Sequence, residues 1–286
     1  MYSVCILNYN DSKTTIDLVN QLKQYETIRN IVVVDNASTD GSYDALIKLE
    51  NHRIHILKSD KNGGYGYGNN LGIKYCHEQL HEKYVVVCNP DIIVDEESLV
   101  SCCLYLSEHH DTTVAVPQML DRNGNAVKEC VWPLQSGIQY LCFSLKITGF
   151  LFNKKYRNYS TPVIEVDCVA GSLLVIDVES FIQYGLYDEN IFLFCEETVL
   201  GLKLKKYHKK SVMLTDKTFT HYHSVSINKS IKSVVAQKKI MWDSRLYVLR
   251  EYYKWGNIKM LFAHLIKNIC MIEEYIAIYL HSKMKG

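Results

Sequence analysis

Tyr84-Val85-Val86-Val87-Cys88-Asn89-Pro90-Asp91 is the stretch on which the reading of this chain turns. An apolar run closed by turn-forming residues reads as a buried strand. Its end presents the Asp91 carboxylate, stiffened by Pro90, at the edge of a sheet. The pattern has an upstream precedent: Ile31-Val32-Val33-Val34 runs into Asp35-Asn36-Ala37-Ser38-Thr39-Asp40. In open α/β sheets ligands bind outside the carboxyl ends of the strands. Two strands that each end in a carboxylate therefore imply one polar site, suited to a nucleotide and a divalent metal.

Working outward, the first half alternates strand and helix. Strands are expected at Tyr2–Leu7, Ile31–Val34, Ile54–Lys58, Tyr84–Cys88 and Thr113–Gln118. Helices are expected from Ser12 to about Gln24, over Ser42–Glu50, near Asn69–Gln79 and over Glu96–Glu108. Such alternation implies right-handed crossovers and a largely parallel sheet. Asp121-Arg122-Asn123-Gly124-Asn125 reads as a hairpin turn. Further on, Leu173–Ile176 and Ser211–Leu214 read as strands and Glu196–Tyr207 as a helix. Two helical segments, about 229–254 and 257–283, come last.

The 286 residues suffice for one or two domains, and 48% hydrophobic with 22% charged content is that of a globular protein. A net charge of +1 supplies no field for nucleic acid, so no nucleic-acid partner is expected. The ten cysteines show neither C-x-x-C pairs nor zinc spacing, which fits a reducing, cytoplasmic setting. No signal peptide is expected at the N-terminus, and no apolar window is long enough for a conventional membrane span.

Several constellations could carry chemistry. The turn Asp35 to Ser42 could accept from a base or ribose and offer backbone N–H groups to phosphate; equally, it could be a polar turn in which Ser42 caps a helix. The loop Asn62-Gly63-Gly64-Tyr65-Gly66-Tyr67-Gly68-Asn69-Asn70 lacks the spacing of a dinucleotide fingerprint and the Lys of a P-loop. Its glycines would let the backbone approach a ligand closely, or would simply make it flexible. Asp91 suits Mg²⁺ or Mn²⁺, because such ions can take one or two carboxylates plus substrate phosphates; the bland alternative is a helix-capping turn. Glu196-Glu197 open a helix, where the macrodipole would keep them ionised, and an ionised carboxylate in a cleft can act as a general base. Of His221 and His223, at most one can face a site if the chain is extended.

Taken in order, these pieces resemble the family 2 inverting glycosyltransferases of GT-A fold, most closely the rhamnosyltransferase-like branch. The resemblance covers about residues 2–226 and rests on Asn8-Tyr9-Asn10, Val34–Ser42, Asn62–Gly66 with Asn69-Asn70, Asn89-Pro90-Asp91, Gly171-Ser172 and Phe192–Glu197. It implies an α/β, GT-A (Rossmann-like) nucleotide-diphospho-sugar transferase fold with a mostly parallel central sheet. The glycosyltransferase domain would span 1–226, with a donor-nucleotide half to 118 and an acceptor half from 119, followed by a helical extension over 227–286. By the same resemblance Asn8, Asn10, Asp35, Asn36, Ser38, Asp40, Asn62, Gly64, Asn69, Asn89 and Asp91 bind the nucleotide-diphosphate sugar. Gly171 and Glu196 meet the acceptor, Glu197 is the catalytic base, and Asp91 with His221 holds the divalent metal. His223 is the alternative to His221, with Ser226 five residues beyond His221 completing the family pattern. Glu197 replaces a more usual Asp, and Val199 stands where many relatives carry another acid.

The activity implied by the resemblance is inverting transfer, with L-rhamnose from dTDP-rhamnose the leading donor and UDP-hexoses open. The acceptor would be a glycan, lipid-linked, in bacterial surface polysaccharide synthesis at the inner face of the plasma membrane. The C-terminal helices, rich in aromatic and basic residues, could lie on that membrane, pack on the catalytic domain or form a homodimer contact. Two rival readings remain: a non-catalytic subunit of the same fold, and a nucleotidyltransferase. Asn8-Tyr9-Asn10-Asp11 after the first strand disfavours the latter, which would carry a glycine- and basic-rich loop there.

Overall fold

The protein is described from a computed structural model covering residues 1–142, 161–222 and 233–284. The Ile/Val runs of the first half form β1 (Tyr2–Asn8), β2 (Ile28–Asp35), β3 (Ile54–Lys58) and β4 (Tyr84–Cys88). All four ladder in parallel in the order β3-β2-β1-β4. Between them run α1 (Ser12–Leu22), the short α2 (Ser42–Leu46) and α3 (Tyr65–Glu78). The order reverses around β1, the arrangement that opens a ligand crevice at the carboxyl edge.

Beyond β4 come β5 (Ile92–Val94), α4 (Glu96–Glu108), β6 (Thr112–Leu120), β7 (Val131–Trp132) and α5 (Gly137–Cys142). Next are β8 (Val163–Val166), β9 (Cys168–Val169), β10 (Leu173–Asp177), α6 (Val178–Tyr184), α7 (Glu196–Lys206) and β11 (Lys210–His221). Among the described residues the main sheet has nine strands, and β10 inserts antiparallel between β4 and β6. β11 pairs in parallel with β6, while β5 and β8 run antiparallel to β11. β7 and β9 form a separate ribbon. Strand directions thus bring the ends of β1, β2, β4 and β11, and the starts of β5 and β10, to one edge.

The expected elements are all present, with informative shifts. The Asp121–Asn125 turn closes on itself, Asp121 N–H donating to Asn125 O at 2.8 Å. α1 ends at Leu22 rather than near Gln24, and Ser42 sits inside α2, whose preceding residue is Gly41. The largest difference is α3, which begins at Tyr65, so the glycine-rich stretch is loop only to Gly64 and helix beyond it. Glycine is a poor helix former, but packing decides here. A Cβ at Gly68 would lie 2.3 Å from Leu7 and one at Gly72 would lie 2.2 Å from Cys5, so both glycines let α3 press onto β1.

Gly64, just before α3, has φ +92°, and a Cβ there would sit 2.0 Å from the Phe192 carbonyl oxygen. The close approach expected of this loop is therefore made to the chain's own backbone. Tyr65 N–H donates to that same carbonyl at 2.9 Å.

The C-terminal helices α8 (Val234–Glu251) and α9 (Asn257–Met284) do not stand apart. Trp242, Leu246, Val248, Leu249, Met260 and Ala263 form a second core with Tyr140, Ile191 and Val199. That core explains the departure at Val199, since an acid there would be buried among apolar side chains. α8 and α9 thus share an interior with α5, α7 and the segment around Ile191.

Gly64→Ala is expected to destabilise the fold by at least about 2 kcal/mol, combining a strained φ with a backbone collision. Equilibrium chemical denaturation measures it; an unchanged midpoint would refute the joint between Gly64 and Phe192.

Candidate active site

Asn8 and Asp35 are paired residues at the ends of β1 and β2, on the crevice edge. Asp35 is fully buried, and both its oxygens are engaged: Asn8 Nδ2 donates to one at 2.8 Å and Ser38 N–H to the other at 3.0 Å. Ser38 Oγ accepts from Asn8 Nδ2 and from Asn10 N–H, and the Asn10 side chain exchanges bonds with Thr39. Asp35 is thus the internal post of the 36–40 turn, and what reaches outward is the turn itself. Asp40 is exposed and accepts from Ser42 N–H, supplying the cap that Ser42 does not.

Asn36 bridges to the start of α3, donating to Asn62 Oδ1 and to Gly64 O at 3.0 Å. Asn69 donates to Tyr65 O within α3. Asn70 clasps the acceptor-side segment: it donates to Tyr187 O and Glu189 and accepts from Tyr187 N–H. Asn36 and Asn70 spend their amides on the scaffold that shapes the crevice, while the buried Asn69 Oδ1 accepts no hydrogen bond among the described residues.

Asn89 and Asp91 follow β4, with Asn89 half-buried and Asp91 buried. The helix-capping alternative for Asp91 is displaced, because Asp95 caps α4 by accepting from Ser98 N–H at 2.7 Å. Asp91 Oδ1 instead lies 3.3 Å from His221 Nε2. The pairing of β5 with β11 sets this contact, with Ile92 opposite His221 and Tyr222 N–H on Asp91 O. The expected metal pair is therefore adjacent. His223 and Ser226 lie outside the described residues.

No group of three or more His, Cys, Asp or Glu is arranged for a metal among the described residues. One carboxylate and one imidazole nevertheless fit Mg²⁺ or Mn²⁺ chemically, since such ions complete their shell with phosphate oxygens and water. Asp91 and His221 are the residues that would hold one.

The acceptor side joins this edge through β10. Asn89 N–H donates to Ser172 O at 2.9 Å, and Cys88 pairs with Leu173. Next in line, Gly171 gives its O to the Tyr65 hydroxyl at 2.5 Å, and its backbone amide bonds the Glu197 carboxylate. Glu197 thus stands one residue from the strand pair that carries Asn89.

Glu196 and Glu197 open α7 as expected, but burial works against the macrodipole that would keep them ionised. Burial raises the pKa of both, and for Glu196 the neighbouring Glu197 charge raises it further. Backbone hydrogen bonds at the helix start oppose this without overcoming it. A raised carboxylate is the better general base, because the most effective one titrates near the working pH. Glu197 lines a cavity of about 310 Å³ together with Trp132, Gln135, Tyr140, Cys195 and Arg245. Gln135 and Arg245 carried no signal in the sequence; α8 and the segment before α5 bring them in.

With this geometry in place, comparison with known proteins is informative. Residues 3–176 match the family described as Glycosyl transferase family 2. The chain belongs to that family. A family relative, the low-salt glycan biosynthesis hexosyltransferase Agl10 of Haloferax volcanii, is 30% identical over 197 residues, covering 68% of this chain and 58% of its own. The N-acetylglucosaminyl-diphospho-decaprenol L-rhamnosyltransferase of Mycobacterium tuberculosis is 23% identical, covering 72% of this chain and 71% of its own. Among solved structures, GalNAc-T7 with UDP, GalNAc and Mn²⁺ superposes with a TM-score of 0.62 at 16% identity, over 89% of this chain and 49% of that one. This family 2 chain therefore has the GT-A-like fold.

Glu196 supplies a stability prediction. It is 5% exposed, and its folded-state pKa lies above the ordinary 4.5. The folded protein keeps a proton that the unfolded chain releases as pH rises past that value, so stability falls with rising pH. Glu196→Gln should raise the melting temperature at about pH 8, with the gain vanishing near pH 4. A gain independent of pH would refute the buried-charge account.

Proposed function

We propose that this chain is an inverting glycosyltransferase that moves a hexose-type sugar from a nucleotide diphosphate to a glycan hydroxyl. L-Rhamnose from dTDP-rhamnose is the first donor to test and UDP-hexoses the second; the rhamnosyl transfer named for the mycobacterial relative supports the former. The observation that carries the reading is the Gly171-Ser172 bridge. It sets the half-buried Glu197 carboxylate beside the same strand ends that carry Asn89 and Asp91.

In this reading the 36–40 turn and the Asn62–Gly64 bend, held by Asp35 and Asn36, receive the nucleotide. Asp91 and His221 hold the divalent metal; when bound, it neutralises charge on the leaving diphosphate. The acceptor hydroxyl enters the cavity beside Glu197. Glu197 takes its proton as the oxygen attacks the anomeric carbon, and a single displacement inverts the configuration.

Glu197→Gln should lower turnover about 10²- to 10⁴-fold while leaving nucleotide-induced thermal stabilisation unchanged. Because the Glu197 pKa is raised, wild-type activity should lose its acid limb above the usual carboxylate range, as one deprotonated group is required. Asp91→Ala should instead abolish the metal-dependent part of the nucleotide-induced stabilisation. Loss of nucleotide binding in Glu197→Gln would remove Glu197 from its role.

The acceptor is proposed to be lipid-linked and the enzyme to sit on a membrane surface through α9. No helix among the described residues is long and apolar enough to cross a membrane. One face of α9 packs on α8 through Met260 and Ala263, while Ile258, Leu261, Phe262, Leu265, Ile269, Ile272 and Ile276 form an exposed stripe at helical spacing. The stripe is about 27 Å long at the helical rise, and an apolar face of that length on an amphipathic helix suits the interfacial plane. The diphospho-decaprenol in the mycobacterial relative's name supports a lipid acceptor. Leu261→Glu with Leu265→Glu and Ile272→Glu should abolish co-sedimentation with anionic vesicles. Wild-type protein that stays off vesicles and dimerises would assign the stripe to a second copy.

A further inference from the structure

The cavity beside Glu197 contains a second charged group that the transfer reaction leaves unexplained. Arg245, on α8, lines it and is only 7% exposed. Its Nε and Nη1 are buried and have no hydrogen-bond partner among the described residues. Arginine cannot shed its proton, so a guanidinium taken from water without an anion is costly. Two aromatic faces soften that cost: the guanidinium carbon lies 4.9 Å from the Tyr140 ring centre and 5.4 Å from that of Trp242. Cation–π contact fixes the plane of the fork yet satisfies none of its N–H donors.

The other groups beside Arg245 carry no compensating charge. The Tyr140 hydroxyl and the Cys195 thiol are its polar neighbours, and burial pushes both up, Cys195 to about 11, so both are neutral. Glu129 and Glu197 line the same cavity, but Arg245 forms no ion pair with either or with any other carboxylate among the described residues. A carboxylate base and a planar cation thus share one hollow without neutralising each other. Such an arrangement suits a ligand that brings a hydroxyl to the first and an anion to the second.

We propose that Arg245 is the acceptor's anion-binding residue, and that this cavity selects acceptors bearing a phosphate or diphosphate close to the reacting sugar. The proposal rests on the glycosyl-transfer reading and names the acceptor's chemistry. Arg is the side chain suited to this task, because its fork bonds phosphate oxygens in a bidentate manner. The position is also built: Ser244, next in chain, donates to Leu193 O at 2.7 Å, and Tyr247 and Tyr252 donate to Asp188. α8 is thereby stitched to the segment leading into Glu197, and Arg245 keeps its place relative to the base.

Calorimetric titration of the full chain with two probes tests this: a short-chain prenyl diphospho-N-acetylglucosamine, and the same sugar on the same alcohol without phosphate. The wild type should bind the diphosphate at least about tenfold more tightly, the scale of a charge-assisted bond pair. Arg245→Gln should erase that preference, and Arg245→Lys, which keeps charge but loses the fork, should retain part of it. A ribitol-phosphate oligomer as third titrant identifies the source: Arg245-dependent binding of the oligomer assigns a polymer phosphodiester, and of the lipid probe a lipid diphosphate. Equal binding of both sugar probes by the wild type overturns the proposal, as does a preference that survives in Arg245→Gln. Should Arg245→Gln not fold, the wild-type comparison and Arg245→Lys decide. Nucleotide-induced thermal stabilisation is read separately on the same protein. Its absence in the wild type would count against glycosyl transfer, whereas its presence beside a missing probe preference would count against Arg245 alone.

Discussion

Tyr65 N–H on Phe192 O is the contact on which the site depends. It is possible only because Gly64 has no Cβ to strike that carbonyl. Through it the first turn of α3, which follows the donor-side strands, is fastened to the segment that leads into α7. Asn70 repeats the fastening further along the helix, holding Tyr187 and Glu189. With α8 stitched to the same segment from the other side, residues 187–193 are gripped from both directions. A reaction between two bound substrates needs its groups placed to within a fraction of an ångström. Here that precision comes from backbone contacts and buried amides.

The buried carboxylates divide the work by environment. Asp35 is satisfied by two internal donors and serves as a post for the turn above it. Asp91 is brought against His221 by strand pairing. Glu196 and Glu197 sit where burial outweighs the helix dipole, so that both are raised. Residues of one chemical type are thus sorted into turn-holding, histidine-paired and raised-pKa positions by their surroundings alone.

Much of this was legible in the sequence, because unbroken Val/Ile runs leave few choices. Ile54–Lys58, Tyr84–Cys88 and Glu96–Glu108 have the expected bounds, and the site residues do gather at one sheet edge. What escaped reading depends on contacts between distant segments. Gly66 and Gly68 look like loop residues until the press of α3 on β1 is known. That Asp35 also holds the 36–40 turn, through Asn8 and Ser38, shows only once the turn is folded. The helix-start carboxylates read as governed by the helix dipole until their burial, which raises both pKa values, is known. Arg245, one basic residue among many on α8, acquires meaning only from the cavity that residues 129–142 and α7 close around it.

β10 has a further consequence, for the order in which the chain can become ordered. It occupies the sheet position between β4 and β6, yet is made some 85 residues after β4. A nascent chain that has emerged only as far as β6 contains β1 to β4 complete, with β4 as an edge whose amides and carbonyls have no partner. An apolar edge of that kind invites pairing with other strands. The strand that closes it is the one that carries Gly171 and Ser172 into place. Covering the β4 edge and seating Gly171 and Ser172 beside Asn89 are therefore a single event in biosynthesis, and a chain stalled before β10 has neither.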